Sequence, residues 1–541
     1  SCTRRCRNAG GCPDAIQIKL AVIDTFTLTE DEAHYWLWAK HLDWSYATKG
    51  PGIAALIAAS TSILGDTQFA VRLPAALAAG ITALAVASLA RATIPLAGAG
   101  LLAATVMLAL PGAQLTAVLM TIDGPYLACW AVAALAAWHA VARGSGPAWV
   151  AFGLAVGVGF LFKYTIVLLL PGVAIFAAWN RATLPRPNRA WLAAGLIAVL
   201  LGLVPIAVWN AQNDWATVRH LLGHLGLKGG DVTPSNDGRG YNPLWTLEYL
   251  GLTLAVGGAT GILALQGLLN ARREHTSVPV PPGIGIRFLA CCAGPLLALY
   301  LAVTLLTNVE ANWNVAAFVT LCPIAAWAVI EGRTRRDTGV NIAWRAAQGT
   351  LLLGLLAVPL LAVTKSQSRG VLGIPTNRAA GSRTLAAETQ AKIDMLGTRT
   401  GLEPFVMTTH YGRASLLSFY LESHPTVFAA GHVHEGGRKT QFDLWPHADL
   451  RSDAVIAQLR GRPAVLFGGL QTDWTGVFDD IEPIGPLTSE PKATRTTWLG
   501  IGFRGFDRPA APALGPASGQ TPGPTAGSAP QTSTPDADQT P

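Results

Sequence analysis

Charge is scarce in this sequence. Only 13% of its 541 residues are Asp, Glu, Lys or Arg, about half the usual share of a soluble domain, whereas 51% are hydrophobic. A chain with so little polar surface cannot face water on every side. The composition therefore excludes an ordinary soluble enzyme and predicts that a lipid bilayer covers part of the chain.

Cysteine and short ligand-binding motifs are also scarce. The seven cysteines form no zinc pattern with a matching second half, and four of them lie inside apolar runs, where cysteine acts as a small hydrophobe. No Gly-rich phosphate loop and no internal repeat is visible. We therefore expect neither a zinc site nor a nucleotide site.

The net charge of +7 comes from short basic clusters between apolar runs. Such clusters are typical of a membrane topology signal, so no nucleic-acid partner is expected.

Apolar runs long enough to approach a hydrocarbon core of roughly 30 Å recur along the chain. They predict membrane helices at about 70–90, 94–112, 124–142, 147–162, 164–180, 190–209, 246–269, 286–307, 313–331 and 344–364. The fourth and fifth are short because Lys163 divides them, and a weaker span at 15–28 is interrupted by Lys19 and Asp24. The predicted fold class is an α-helical polytopic membrane protein with about eleven transmembrane helices.

Arginines mark the direction of these helices. They gather in alternate loops, at Arg91, Arg143, Arg181/Arg186/Arg189, Arg272–Arg273 and Arg333/Arg335/Arg336. The positive-inside rule places these loops in the cytoplasm. The segments 29–69, 111–123, the turn at Lys163, 210–245, 307–312 and everything after about 365 then lie on the outer side of the inner (plasma) membrane.

Composition divides the chain into four regions. They are an irregular N-terminus (1–14), the transmembrane domain (15–365), a small extracytoplasmic α/β domain (366–508) and a tail rich in Pro, Ala, Ser and Thr (509–541). The segments PFVMTT, PTVFAAG and PAVLFGG predict buried strands, and GRASLLSFYL predicts a helix between two of them. The tail has almost no bulky apolar residue and is predicted to be disordered.

The first outward segment, TEDEAHYWLWAKHLDWSYATKGPG, combines carboxylates, lysines and aromatic residues. One interpretation is an interfacial amphipathic helix whose aromatic residues form a belt at the membrane surface. The other is an active-site loop at headgroup level, where a carboxylate acts as a general base and a lysine offsets a phosphate charge.

Two more polar residues stand out against apolar sequence. Asp123, in LMTIDGPYLACW, starts an apolar helix and is either an N-cap or an acidic site residue. Lys163, in FLFKYTIVLLLPG, either extends to the membrane surface or meets an anion.

Two outward segments near the middle of the chain complete the set. VWNAQNDWATVRHLLGHLG contributes Arg219 and His220, and TNVEANWNVAAF contributes Glu310 and Asn312. Arg219 or a protonated histidine could grip a phosphate, although each residue alone fits a solvated loop. What favours a site is that all these groups fall on one predicted face of the membrane.

Together these motifs identify a family. DEAHYWLW, LDWSYATKGPG, MTIDGPYL, FKYTIVLLLPG, PIAVWNAQNDWATVRH, VEANWNVAAF and SLLSFYLESHPTVFAAGHVHEGGRKTQFDLW occur in this order between about residues 29 and 450. The chain resembles the bacterial branch of the dolichyl-phosphate-mannose protein mannosyltransferases. That branch includes the lipid A aminoarabinose transferases and belongs to the GT-C glycosyltransferases.

The resemblance implies roles for particular residues. Asp31 corresponds to the catalytic aspartate of the first loop, Asp123 to a second acidic position near the cavity, and Lys49 to a lysine that contacts the donor phosphate. Family members often carry Asp or Glu before this lysine, whereas this chain has Thr48. Because that carboxylate is missing, no obligatory metal or other cofactor is predicted.

The expected function is transfer of a sugar, with inversion, from a polyprenyl-phosphate donor to a glycolipid, glycan or protein hydroxyl. Asp31 and Asp123 are the predicted catalytic residues. The predicted substrate-binding residues are Glu32, Tyr35, Lys49, Lys163, Arg219, His220, Glu310 and Asn312. Two alternatives remain. One is a transporter or flippase of a lipid-linked substrate, which would have polar sites at the middle of the membrane. The other is an inactive family member acting as a scaffold, because Thr48 stands where the family often has a carboxylate.

Overall fold

The computed structural model describes residues 26–225, 227, 229–231, 241–271, 283–364, 373–435, 439–484 and 497–506. The irregular N-terminus, most of the weak span at 15–28 and the predicted disordered tail lie outside these residues. Those predictions, and the proposed domain boundaries, stay predictions.

Helices make up most of the described chain. In chain order they are α1 (Glu30–Lys40), α2 (Gly52–Leu64), α3 (Gln68–Thr93), α4 (Ala99–Leu108), α5 (Pro111–Thr116), α6 (Asp123–Ala142), α7 (Gly146–Phe160), a 3-10 turn (Tyr164–Leu168), α8 (Leu169–Trp179), α9 (Arg189–Gln212), α10 (Ala216–His224), α11 (Pro243–Ala271), α12 (Gly283–Val303), α13 (Val315–Arg335), α14 (Thr338–Thr364) and α15 (Gly373–Thr400).

Six of these helices, α3, α6, α9, α11, α12 and α13, are long and apolar enough to cross a membrane. Shorter apolar helices accompany them at 52–64, 99–108, 146–160 and 164–179. The predicted fold class, a polytopic helical membrane protein, is confirmed. The span predicted at 94–112 differs in detail: α4 ends at Leu108, and a separate short helix begins at Pro111, where proline fits the first turn of a helix.

The break at Lys163 divides α7 from the next apolar segment, as the sequence predicts. Lys163 is extended, with φ −147° and ψ 124°. The chain around Gly50 crosses here: the Gly52 amide donates to the Leu161 carbonyl at 3.0 Å, and a Cβ on Gly50 would clash with that same oxygen. The missing side chain therefore lets the segment after Lys49 pack directly against the segment before Lys163.

A five-stranded sheet forms the core of the C-terminal region. Its strands are β1 (Phe405–Thr408), β2 (Val427–Ala429), β3 (Ala464–Phe467), β4 (Phe478–Pro483) and β5 (Thr497–Phe503), in the spatial order β2-β1-β3-β5-β4. The first three are parallel and β4 and β5 are antiparallel additions, with Val406 opposite Val427 and Val465, and Val465 opposite Leu499. β1, β2 and β3 are the three predicted strands. β4 lacks their apolar run because it is an edge strand whose sequence is FDDIEP.

The helices beside the sheet are α16 (Tyr411–Tyr420), α17 (Gly431–Glu435), α18 (Asp453–Leu459) and α19 (Gln471–Trp474), with a 3-10 turn at Gln441–Asp443. The predicted GRASLLSFYL helix is α16.

The sheet region docks on α1 through α16. Tyr420 joins the two parts: its hydroxyl accepts from the Leu28 amide at 2.6 Å and donates to the Gln68 side chain at 2.9 Å. Further in, His34 Nδ1 and Ser415 Oγ are 3.0 Å apart, and the Trp36 and Phe419 rings meet edge to face at 4.9 Å. α1 is therefore held between the membrane helices and the C-terminal domain.

Candidate active site

The first turn of α1 presents Asp31. Thr29 caps this helix by accepting from the Glu32 amide, while Glu32 accepts from the Thr29 amide, so the turn is fixed at both ends. Asp31 remains accessible to solvent although protein surrounds much of its side chain. Burial raises the pKa of Asp31, and nearby Lys49 opposes the shift.

Asp123 lies at the start of α6 and is nearly fully buried. Ile122 occupies the N-cap position, and the Asp123 carboxylate turns to other partners. Its Oδ1 accepts from Lys163 Nζ at 2.8 Å and its Oδ2 from Asn312 Nδ2 at 2.8 Å. The Lys163 side chain is 12% exposed, so its charge is matched inside the protein and does not extend to the membrane surface. Residues from three distant segments thus meet at one carboxylate.

Lys49 completes the cluster. Burial lowers the pKa of Lys49, and the positive charge of Lys163 lowers it further, while Asp123, Glu310 and Asp31 oppose the shift. Among the residues that the structure describes, no side chain lies within hydrogen-bond or ion-pair distance of its ammonium group. Two neighbouring lysines, of which only one is ion-paired, form a site suited to an anion.

Tyrosines and Glu310 border the same region. Tyr35, on α1, is buried, and burial together with the charges of Asp31 and Asp123 raises its pKa, so it stays a neutral hydroxyl. Lys163 Nζ lies 5.5 Å from the centroid of the Tyr126 ring. Glu310 accepts from Trp313 Nε1 at 3.2 Å and contributes to the electrostatic environment of Asp31 and Lys49.

Glu32 faces away from this cluster, contrary to its assignment as a substrate contact. It is fully buried in a bidentate ion pair in which Arg72 Nε and Nη2 donate at 2.7 and 2.6 Å. Its oxygens also accept from the amides of Thr29 and Met120, both at 2.9 Å. Since protein groups occupy both oxygens, Glu32 joins α1 to α3 and to the segment before Asp123. Sequence analysis missed Arg72, although an arginine within an apolar helix is the available signal.

Arg219 and His220 lie outside the cluster. Arg219 is exposed on α10, and among the described residues no hydrogen bond or ion pair joins it to Asp123 or Lys163, whose partners are each other and Asn312. His220 is buried, with its Nδ1 at 3.4 Å from Asp231 and its Nε2 at 3.1 Å from His224. Their predicted role in phosphate binding therefore has no direct geometric support.

No group of three or more His, Cys, Asp or Glu side chains that could hold a metal is present within the described ranges. The expectation that no metal is obligatory stays a prediction.

With this geometry established, known proteins provide a comparison. Residues 48–209 match the dolichyl-phosphate-mannose-protein mannosyltransferase family. The solved structure of ArnT from Cupriavidus metallidurans in the apo state superimposes with a TM-score of 0.60 at 14% identity, over 90% of this chain and 96% of that one. The chain therefore shares the fold of ArnT, and its residues 48–209 resemble the mannosyltransferase family. The structure of the same ArnT bound to undecaprenyl phosphate also gives 0.60, at 15% identity, over 91% of this chain and 98% of that one.

A curated relative extends the comparison. The lipid A galacturonosyltransferase RgtD of Rhizobium johnstonii is 28% identical over 302 residues, which are 55% of this chain and 59% of RgtD. The match thus spans about three-fifths of that relative. The segment that matches the mannosyltransferase family contains Lys49, Arg72, Asp123 and Lys163, whereas Asp31 and Glu310 lie outside it.

Proposed function

We propose that this chain transfers a sugar from a polyprenyl-phosphate carrier to a hydroxyl group of an acceptor, at the outer face of the inner membrane. The observation behind the proposal is the convergence of Asp31, whose pKa is raised, with Lys49 and the ion-paired Lys163. A general base and an anion site are the two functions that displacement of a lipid phosphate requires. The ArnT structure with undecaprenyl phosphate supports the choice of donor.

The proposed step is a single displacement. Asp31 accepts the proton of the acceptor hydroxyl, whose oxygen forms a bond to the anomeric carbon as the bond from that carbon to the phosphate oxygen breaks. Attack from the face opposite the leaving group inverts the anomeric configuration. The bonding electrons leave with the polyprenyl phosphate, and Lys49 and Lys163 stabilise the charge that develops there. Asp123 orients Lys163 by accepting from its ammonium group, and Asn312 holds Asp123 in place by donating to the other carboxylate oxygen.

A transfer assay tests the proposal. Membranes containing the full chain are given polyprenyl phosphates that carry different radiolabelled sugars, together with extracted glycolipids, glycans and proteins. We expect label to move from one donor class to one acceptor class and free polyprenyl phosphate to accumulate with it. If the labelled donor only changes leaflet, the chain is a transporter; if nothing happens with any donor, it is an inactive relative.

Replacing Lys49 with Gln should weaken binding of polyprenyl phosphate by roughly 10- to 100-fold, because a charged hydrogen bond to the phosphate is worth about 1.5–3 kcal/mol. The dissociation constant in detergent micelles is the measurement. The control is Lys439→Gln, which removes the same charge from an exposed position of the C-terminal domain and should change affinity little. Equal effects in the two variants would remove Lys49 from the phosphate site.

The pH range in which transfer is active should be narrower than the range expected for a carboxyl and a lysine with ordinary pKa values. The base form of Asp31 is required, so activity is lost as the pH falls through its raised pKa. The cationic form of Lys49 is required, so activity is lost as the pH rises through its lowered pKa. In Lys49→Arg the alkaline loss should disappear while the acid loss remains, because arginine stays charged throughout. An unchanged alkaline limb would contradict this assignment.

The proposed orientation can be measured by cysteine labelling. Asp480→Cys lies on the exposed edge strand β4, and Arg336→Cys lies at the exposed end of α13. With the parent chain as background, a membrane-impermeant maleimide should label Asp480→Cys in spheroplasts, and Arg336→Cys only after permeabilisation. The reverse pattern would place the catalytic cluster in the cytoplasm.

A further inference from the structure

A cavity lies on the face of α1 opposite Asp31. It has a volume of about 210 Å³, and its walls come from α1, the segment after α2 and the C-terminal domain. Trp36 and Lys40 line it, five and nine residues after Asp31, which at 100° per residue turns them to the opposite side of the helix. The proposed chemistry uses none of the residues around this cavity.

One wall carries a charge-neutral polar edge. Asp66 accepts from Lys40 Nζ at 2.6 Å and from Trp36 Nε1 at 2.7 Å. Because the carboxylate and the ammonium group balance each other, this wall offers both donors and acceptors without a net charge. The Trp36 ring is fixed beside them by its own hydrogen bond.

Another part of the lining combines aromatic faces with imidazoles. The His41 ring lies 4.4 Å from His447 and 5.1 Å from Trp445 between centroids. Burial lowers the pKa of both histidines, and the adjacent His447 adds to this for His41. At neutral pH these imidazoles are therefore uncharged, and each has one donor and one acceptor nitrogen. This wall does not present the fixed cations that a phosphate would need.

A strained turn holds a third histidine at the same cavity. Ser423 and His424 have φ of 61° and 47°, in the left-handed region that residues with a Cβ rarely adopt. His424 Nδ1 donates to the Ser418 carbonyl at 3.2 Å, which fixes the ring, and the ring lies 5.1 Å from Trp36. Strain of this kind persists where the surrounding structure enforces a functional geometry.

We propose that this cavity binds one saccharide unit of the acceptor. Aromatic faces suit the apolar C–H faces of a sugar ring, and neutral groups that both donate and accept suit its hydroxyls. The volume is below the roughly 300–1,000 Å³ of sites that enclose drug-sized ligands, so it fits a single unit. The assignment to the acceptor rests on the proposed transfer reaction.

The location agrees with an acceptor that extends past the catalytic helix. α1 separates the cavity from Asp31 by about one helix diameter, roughly 10 Å, a distance that a short oligosaccharide spans. Leu42 and Trp44, directly after His41, are 62% and 64% exposed, and Ile63, close before Asp66, is 81% exposed. Because these exposed apolar side chains adjoin residues of the cavity, we place the cavity beside the lipid surface.

Saturation-transfer NMR on the full chain in lipid nanodiscs tests the site without any transfer reaction. The probes are methyl glycosides of a hexose, a hexosamine and a hexuronic acid at millimolar concentration, with inorganic phosphate as a competing anion. We expect transfer to the ring protons of at least one glycoside. In Trp445→Leu the signal should fall by roughly five- to tenfold, and in His447→Gln, a change that keeps the polar character, it should fall less.

Two controls separate this site from the rest of the molecule. Trp179 is the last residue of α8, and its indole is 68% exposed. Trp179→Leu removes this indole, far from the cavity, and should leave the signal unchanged. Asp31→Asn should also leave the signal unchanged, because Asp31 is on the other face of α1. The proposal is overturned if no glycoside receives saturation, if phosphate competes it away, or if Trp445→Leu behaves like the parent. Those outcomes leave the transfer reaction itself unaffected.

Discussion

Asp31→Asn lowers the rate of sugar transfer by roughly 10²–10⁴-fold, the range that a positioned general base contributes. The amide keeps the size of the carboxyl but cannot accept the acceptor's proton. Because Asp31 is accessible to solvent and forms no ion pair among the residues that the structure describes, the variant should still fold and insert in the membrane. Single-turnover transfer with preloaded donor is the measurement, so that donor binding and chemistry are read separately.

A neighbouring carboxylate provides the control for this variant. Glu30, adjacent on α1, is exposed and lies 3.6 Å from His410 of the C-terminal domain. Glu30→Gln should change the rate by only a few-fold, because it alters the charge near Asp31 without removing the base. Transfer by Asp31→Asn at the rate of Glu30→Gln would exclude Asp31 as the base.

Arg72→Met should lower the free energy of unfolding by about 3–5 kcal/mol, the cost of leaving one charge of a buried ion pair without its partner. Glu32 and Arg72 are 0% and 2% exposed, and Arg72 also donates to the carbonyls of Phe26 and Thr27 at 2.9 and 3.0 Å. Thermal unfolding in detergent measures the loss. The double variant Glu32→Gln/Arg72→Met should recover part of it, since no unpaired charge then remains.

A surface pair in the same chain is the matched comparison. Arg399 and Glu482 also form an ion pair, but their side chains are 50% and 34% exposed. Arg399→Met should change stability little, because water solvates the remaining carboxylate. If Arg72→Met and Arg399→Met unfolded at the same temperature, the buried Glu32–Arg72 pair would not stabilise the fold more than the surface pair does.

The same pair should also affect catalysis indirectly. Glu32 accepts from the amide of Met120, three residues before Asp123, and its helix carries Asp31. Arg72 and Glu32 are therefore positioning residues, which fix the distance between the two acidic groups. In Glu32→Gln, kcat should fall more than the affinity for polyprenyl phosphate does. In Lys49→Gln, the affinity should fall more than kcat does.

Hydropathy alone located the membrane helices, because a bilayer demands about twenty apolar residues for each crossing. The predicted spans at 124–142, 190–209 and 246–269 fall within α6, α9 and α11. The division of one long apolar run at Lys163 was equally visible, since a charge in such a run has few tolerable positions. The three parallel strands were readable because both faces of each are buried, which leaves continuous apolar segments.

Tertiary structure alone decided which of the polar candidates act together. The sequence marks Asp123, Lys163 and Asn312 as separate oddities, and only the packed helices bring them to 2.8 Å. It likewise gives Asp31 and Glu32 the same appearance, whereas the helix leaves one accessible to solvent and buries the other in an ion pair with Arg72. Hydrophobicity is a property of a segment and can be read from the sequence. Hydrogen-bond and ion-pair partners depend on contacts between residues 40 to 189 positions apart, which only the folded chain creates.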